Sequence, residues 1–252
     1  MIVTTVSYAY AEEPKISGFF AVGAASTPDF EGSSDYQTVP FITSHLHSGW
    51  LNFEFQGLTA RLHLKPPSWY ETGVSLNYRF GRDSNLENTV VGQLKEIDDT
   101  VEVGGFFRIE LDDQFLKHDS VEFLAEAFTD TGSVHGGNIA TLSASYTLSP
   151  SKQWRYQLEV ETTYADDDYM DTYFGVDTAN ASLSGLPHFD ANSGFKDIGL
   201  NLNVTHFFNK KLGILGRVGY KHLIGDAADS PIVTEQGNAD QFFGGLSLLY
   251  AF

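Results

Sequence analysis

The residues best suited to chemistry lie in the stretch HLHSG, which contains His45 and His47 on one face of an extended segment and Ser48 beside them. A histidine beside a serine is the pair that activates a hydroxyl nucleophile, and His63 on a nearby segment could approach it. Such a site also needs an orienting carboxylate and an oxyanion hole, and the chain contains no G-x-S-x-G, H-E-x-x-H or Walker motif. We therefore expect no catalytic site and interpret these side chains as polar residues at the rim of the fold.

A second candidate site is the acidic run ADDDYMD, in which Asp166, Asp167 and Asp168 could ligate Ca²⁺ through their carboxylate oxygens. The run lacks the D-x-D-x-D-G spacing of a formed calcium loop, which makes it a weak candidate for a metal site. The chain has no cysteine, and this excludes both a disulfide framework and a thiolate metal site. We expect no cofactor.

The elements that must position these residues are strands, because apolar and polar residues alternate with a period of two along most of the chain. In WRYQLEVETTY, the apolar side chains from Trp154 to Tyr164 share one face, and the charged side chains between them share the other. Alternating segments of about ten residues are what tilted strands need to cross a bilayer, with aromatic residues at both interfaces. The longest apolar run is far shorter than the roughly 20 residues of a membrane helix.

The connections between the segments alternate between long and short, which is typical of outer-membrane barrels. Treating residues 50–64 as one strand gives an odd number of strands and places the long loop 81–97 among the short turns. A split at Gln56-Gly57, with Gly57 as a tight turn, places every long loop on one side, although this boundary is the least defined by the pattern. We therefore predict an all-β fold, a single transmembrane, antiparallel, up-and-down β-barrel of about 12 strands.

The first eleven residues, MIVTTVSYAYA, are apolar and end in Ala9-Tyr10-Ala11, which resembles the hydrophobic region and cleavage site of a secretory signal. A positively charged segment before them is missing, so we interpret residues 1–11 as the remnant of a signal peptide. The mature chain then begins at Glu12, and residues 12–252 form the barrel.

Charge is distributed unevenly over this topology. The net charge of −18 argues against nucleic acid as a partner. More than half of the 33 acidic residues fall in the long loops, which are acidic either for solubility or to meet divalent cations that bridge lipopolysaccharide. The inward faces are nearly balanced, which favours ion pairs in a filled or narrow interior over an open selective channel. The residues expected to form lumen ion pairs are Arg61, Arg79, Arg108, Arg155, Arg217, Glu102, Glu110, Glu159 and Glu161.

Five separated motifs occur along the chain, namely PDFEGSSDYQTVPF, YRFGRDSNLEN, EIDDTVEVGGFF, YFGVDTANASLSGLPHFDANSGFKDIGL and the final YAF. Together they resemble the MipA/OmpV family of Gram-negative outer-membrane proteins, whose namesake is an MltA-interacting protein. The resemblance covers residues 14–252, which is nearly all of the mature chain. It implies a barrel in the outer membrane of a Gram-negative cell, in contact with its lipid and lipopolysaccharide.

The resemblance also implies how such a barrel is assembled and what it does. The barrel-assembly machinery would recognise the last strand, whose apolar face carries Leu246, Leu248, Tyr250 and Phe252. The family further implies a non-enzymatic scaffold that joins a lytic transglycosylase to a penicillin-binding protein in murein synthesis, and it supplies no catalytic residue. Two alternatives stay open, a surface adhesin or ligand-binding protein that acts through the acidic outer loops, and a narrow channel.

Overall fold

A computed structural model gives the structure of the protein and describes residues 16–64, 69–84 and 86–252. The predicted signal-peptide remnant at residues 1–11 and the predicted mature start at Glu12 lie outside the described residues.

Within the described residues, twelve antiparallel strands close into one barrel, and this confirms the predicted fold. Each strand pairs with its neighbours in the chain, and the first strand pairs with the last. The strands are β1 (Ile16–Pro28), β2 (Tyr36–Ser48), β3 (Leu51–Gln56), β4 (Thr59–Leu64), β5 (Tyr70–Arg79), β6 (Thr100–Asp112), β7 (Asp119–Asp130), β8 (Asn138–Ser151), β9 (Trp154–Ala165), β10 (Gly194–Phe207), β11 (Leu212–Leu223) and β12 (Asp240–Ala251).

Short helices occupy the long loops at one end of the barrel. Among the described residues, no helix has the length and apolarity needed to cross a membrane. The helices are α1 (Asp167–Phe174), α2 (Thr178–Ser184), α3 (Gly225–Asp229) and α4 (Pro231–Thr234), with one 3-10 turn at Val91–Gln93.

The strand alternation separates an apolar outer face from a mostly polar lumen. On β9, Leu158 and Val160 point outward and are 48% and 50% exposed, whereas Glu159 and Glu161 point into the lumen. An apolar band around the whole outer face is unfavourable in water and favourable in contact with lipid, so this band lies in the hydrocarbon of the membrane. The lumen nevertheless has an apolar patch on β1, β2, β11 and β12, formed by Ala21, Ala25, Phe41, Leu215 and Leu249.

The long-loop end is closed by a core of its own. The α1 side chains Tyr169, Met170 and Phe174 are fully buried. They pack against residues from the loops and from the ends of the barrel strands, including Ile139 of β8 and Leu223 of β11. We call the α1 helix together with its buried side chains the lid.

The β3–β4 hairpin is much shorter than the other hairpins, with six residues in each strand. Its turn lies at Gly57-Leu58, where the sequence places it, and Gly57 has a φ of 63°. Only glycine adopts this left-handed region without strain, while asparagine tolerates it better than other residues. Because its strands have only six residues, the hairpin ends part of the way up the barrel wall.

We predict that Gly57→Ala destabilises the barrel by about 1 kcal/mol, because alanine is strained in the left-handed conformation. A Cβ atom at this position would meet no atom within 4 Å, so the loss arises from the backbone alone. Urea unfolding of the barrel in lipid vesicles, followed by tryptophan fluorescence, measures the change. Gly57→Asn is the matched control and should lose less; equal stability of the two variants would contradict the assignment.

Candidate functional site

The half of the lumen nearest the short turns is organised around Arg108, which projects from β6. Its guanidinium nitrogens lie 2.7 Å from Glu54 Oε2, 2.8 Å from Glu71 Oε2 and 3.2 Å from Glu122 Oε2. These groups come from four strands and are largely buried, so the cation must be matched by carboxylates to remain charged there. Arg108 therefore ties one side of the lumen together.

The histidines of HLHSG lie beside this cluster, and His45 joins it through Glu54. His45 Nε2 lies 3.4 Å and His63 Nε2 lies 3.3 Å from Glu54 Oε1, while His47 contacts Asn52. Alternation along β2 places Ser48 on the opposite face of the strand. The structure therefore brings the histidines to a carboxylate but does not bring the serine hydroxyl to them.

The same cluster contains a group of possible metal ligands. One ligand atom each from Glu54, His63 and Glu71 lies within 4.8 Å of the others. Arg108 donates hydrogen bonds to both carboxylates, so its guanidinium already supplies the positive charge that a metal would bring. The donor set therefore favours an arginine cluster over a metal centre.

A second group of pairs lies farther up the lumen. Arg61 makes a two-pronged contact with Glu126, at 2.8 Å from Nε to Oε1 and 2.6 Å from Nη2 to Oε2. On the other wall, Arg217 lies 3.5 Å from Glu159, and Lys221 lies 3.5 Å from Glu161. Ion pairs between side chains of different strands therefore line both sides of the lumen.

The third group connects the lumen to the lid. Arg79 Nε donates to Glu102 at 2.8 Å, and Arg79 Nη1 donates to the Tyr169 hydroxyl at 2.8 Å. The same hydroxyl donates to Glu31 Oε2 at 2.7 Å, and Lys196 Nζ lies 2.5 Å from Glu31 Oε1. A chain of charge-assisted hydrogen bonds therefore holds α1 over the lumen.

Not every residue expected in the lumen has a partner. Arg155 and Glu110 are exposed near the short-turn ends of their strands, and neither forms an ion pair within the described part of the chain.

The four residues predicted as the assembly signal at the end of the chain have outward-pointing side chains. Leu246 is 60%, Leu248 72% and Phe252 46% exposed, and Tyr250 is half-buried. These four side chains lie where lipid contacts the barrel.

The three aspartates of ADDDYMD have separate surroundings. Asp166 caps the start of α1 by accepting from the Tyr169 backbone N–H, and it also binds the backbone and side chain of Asn138. Asp167 accepts from the Ser193 backbone N–H at 2.6 Å, and Asp168 is exposed on the first turn of α1. Two of the three carboxylates therefore hold the loop in shape.

Burial and neighbouring charges act in opposite directions on the loop groups. Burial disfavours the charged form of Glu31, but Lys196, Arg79 and Lys221 outweigh it and lower the pKa of its carboxyl to about 2. Arg82, in the loop after β5, is 5% exposed, and its burial lowers its pKa to about 10. Burial also raises the pKa of the Tyr169 hydroxyl well above its usual value.

Sequence reasoning missed Lys196, although it is central to the lid. Strict alternation on β10 would place Lys196 on the lipid face, in line with Ile198 and Leu200. A bulge between Phe195 and Asp197 shifts the register, and the Lys196 side chain turns inward and is 2% exposed. A lysine at a lipid-facing position was the available signal, because a charge facing hydrocarbon is costly.

Comparison with known proteins identifies one family. The family model described as MltA-interacting protein MipA matches residues 20–252. No curated protein sequence matches the chain. Among solved structures, the NanC porin is similar at a TM-score of 0.49 and 9% identity, over 93% of this chain and 100% of that one.

Two further structures show similar values. An outer-membrane channel of the COG4313 group from Pseudomonas putida F1 has a TM-score of 0.43 and 11% identity, over 100% of both chains. The Vibrio cholerae outer-membrane protein OmpT in its trimer form has a TM-score of 0.41 and 7% identity, over 94% of this chain and 98% of that one.

We predict that Arg108→Met destabilises the barrel by about 3 kcal/mol, because it leaves three largely buried carboxylates without their cation. Urea unfolding in vesicles measures the loss. Arg155→Met is the matched control, since Arg155 is exposed and unpaired among the described residues, and it should change stability by less than about 0.5 kcal/mol. A similar loss in both variants would rule out the Arg108 cluster as a stabilising centre.

We predict that Glu31→Gln loosens the lid at neutral pH. The Glu31 pKa is lower in the folded protein than its ordinary value of 4.5, so its stabilisation is present above about pH 4.5 and is lost as the pH falls toward 2. At pH 7 the variant should lower the opening free energy of α1 by about 2 kcal/mol, the usual value for a hydrogen bond to a charged group. Hydrogen exchange of the α1 amides measures this opening.

The difference between Glu31→Gln and the native chain should shrink as the pH falls from 4.5 toward 2. Glu235→Gln, at an exposed loop position, should exchange like the native chain throughout. A loss for Glu31→Gln that does not depend on pH would contradict the ionic explanation.

Proposed function

Since the chain belongs to the MipA family, we propose that this outer-membrane barrel is a non-enzymatic scaffold that holds a lytic transglycosylase and a penicillin-binding protein at the periplasmic face. The family match over residues 20–252 is the observation that carries the proposal. The chain is an outer-membrane protein of a Gram-negative cell, so its short turns face the periplasm and its long loops face outward.

The ion pairs across the lumen and the lid packed over them support a scaffold over a narrow channel. Ion pairs bridge the lumen at several heights, from the Arg108 cluster to the pair of Arg79 and Glu102. The lid packs over them, with Tyr169 and Phe174 fully buried. A conducting pore would leave its charged side chains facing water, whereas here five lumen cations face carboxylates, namely Arg61, Arg79, Arg108, Arg217 and Lys221.

The turn between β6 and β7 offers a periplasmic partner the most prominent apolar contact. Phe115 is 76% exposed and Leu116 is 55% exposed. The turn is built firmly, because the Asp119 carboxylate accepts hydrogen bonds from the backbone N–H groups of Gln114, Phe115 and Leu116. It also accepts from the Tyr146 hydroxyl. A preorganised apolar tip of this kind loses little entropy when it is bound.

One turn is too small to hold an enzyme by itself, since a standard interface buries about 800 Å² on each partner. Other exposed aromatic residues lie at the same end of the barrel and would extend the contact, namely Trp50, Trp69 and Phe208. We propose the Phe115-Leu116 tip as the centre of the periplasmic contact and these aromatics as its surroundings. The outward face of β12 is the proposed contact for the barrel-assembly machinery.

We predict that the double change Phe115→Ser and Leu116→Ser weakens capture of a purified membrane-bound lytic transglycosylase by roughly 30-fold, the value of a typical interface hot spot. Binding is measured with the tagged barrel immobilised in lipid nanodiscs. Leu183→Ser is the matched control, because Leu183 is 61% exposed but lies on α2 in an outer loop.

Three results are informative. Loss of binding in the turn variant alone supports the proposed contact. Equal binding by all three proteins would refute the turn as the contact while leaving the scaffold in place. Failure of the native barrel to capture either a transglycosylase or a penicillin-binding protein would refute the scaffold itself.

A further inference from the structure

The barrel wall has a gap beside β2. Residues 43–48 of β2 pair with β3, whereas residues 36–41 pair with β1 and with no other strand among the described residues. On the far side, β5 pairs with β4 only as far as the hairpin reaches. A strand needs about 9–11 residues to cross the hydrocarbon, so the six-residue strands β3 and β4 leave the outer part of this wall open.

A cavity of about 720 Å³ lies behind this gap and reaches through it. Its lining includes Val39, Phe41 and Phe243, which belong to the apolar patch inside the lumen or pack against it. The lining also includes Ile42 and Leu58, which are exposed on the outside at the edges of the gap. The cavity therefore joins the lumen to the outer half of the membrane, and its volume is that of a site for a drug-sized molecule.

Two hydrogen-bonding groups in the cavity wall have unused donors. Arg82 is 5% exposed, and its only side-chain hydrogen bond among the described residues runs from Nη1 to the Tyr173 carbonyl at 3.3 Å. Its Nε has no partner there, and neither has the hydroxyl of Tyr173, which is also buried. Buried donors of this kind are rare in folded proteins, so these two groups are the ones that an acceptor entering the cavity would satisfy.

The other cations that line the cavity already have partners among the described residues, and Arg217 pairs with Glu159. Among the described residues, no carboxylate lies within ion-pair distance of Arg82, while Arg79 is paired with Glu102 and Lys221 with Glu161. Glu31 is held by Lys196 and by the Tyr169 hydroxyl. Arg82 is therefore the lining cation whose charge is left for a ligand, and the chemistry that complements it is an anionic group.

We propose that this cavity binds a single-chain anionic amphiphile that enters from the membrane through the gap between β2 and β5. The head group contacts Arg82 and the Tyr173 hydroxyl, and the alkyl chain lies along Val39, Phe41 and Phe243. The cavity is separate from the periplasmic turns, so this binding proposal does not depend on the proposed scaffold role.

The binding test uses the folded barrel in nanodiscs and the fluorescent fatty acid cis-parinaric acid, with its uncharged methyl ester as the paired probe. The acid should bind saturably, and Arg82→Gln should weaken its binding about tenfold, the loss expected for a charged hydrogen bond. Binding of the ester should change less than twofold. Arg155→Gln, at the opposite end of the barrel, is the control and should bind the acid like the native chain.

If Arg82→Gln does not fold, Tyr173→Phe tests the same head-group position by removing the second unused donor, and the acid should again bind more weakly. Absence of saturable binding to the native barrel overturns the proposal. An equal response of acid and ester to Arg82→Gln overturns the assignment of the head group to Arg82.

A second experiment tests the route of entry. Because the chain contains no native cysteine, a thiol reagent modifies only the cysteine that is introduced. Val39→Cys places a thiol in the cavity behind the gap, and Ser143→Cys places one on the lumen face of β8, away from the cavity. A maleimide on a long alkyl chain, dissolved in the bilayer, should modify the first thiol at least tenfold faster. Equal rates would show that the gap is not an entrance.

Discussion

The hydrogen-bonding requirement of the backbone in hydrocarbon governs this molecule. No water is available there to bind a free N–H or C=O group, so a strand in the bilayer must pair along both edges. Eleven pairings between consecutive strands and the pairing of β1 with β12 meet this requirement along the described barrel, except beside the short β3–β4 hairpin. Closure then fixes the alternation, because each strand must show lipid one face and the lumen the other.

Charges that are placed in the lumen by this alternation have to be neutralised by one another. The result is a set of cross-strand ion pairs, of which the Arg108 cluster is the most connected. The lid continues this pairing of charges into the outer loops, because the Tyr169 hydroxyl joins Arg79 in the lumen to Glu31 in the first outer loop. The short β3–β4 hairpin is the exception to complete pairing, and the apolar part of the lumen lies next to it.

Most of the barrel could be predicted from the sequence because period-two alternation is a local property. The strand count, the turn at Gly57 and the outward face of β12 all follow from residues close together in the chain, and the family match confirms the resemblance. The lid could not be predicted, since Tyr169 and Glu31 lie far apart in sequence and meet only when the barrel closes. Lys196 was missed because a bulge changes which face it occupies, and Arg82 because burial of a loop arginine leaves no periodic pattern.

The pairing of β1 with β12 has a kinetic consequence. All other strand pairs join neighbours in the chain, so their contacts have low sequence separation and form with little loss of chain entropy. The seam between the first and last strands joins the two ends of the described chain, so we expect its closure to be a late step of folding. The loop after β1 is fastened across this seam, through hydrogen bonds between Gln241 and both Gly32 and Ser33. These hydrogen bonds must break before the two edge strands separate, so we expect them to slow reopening of the closed barrel.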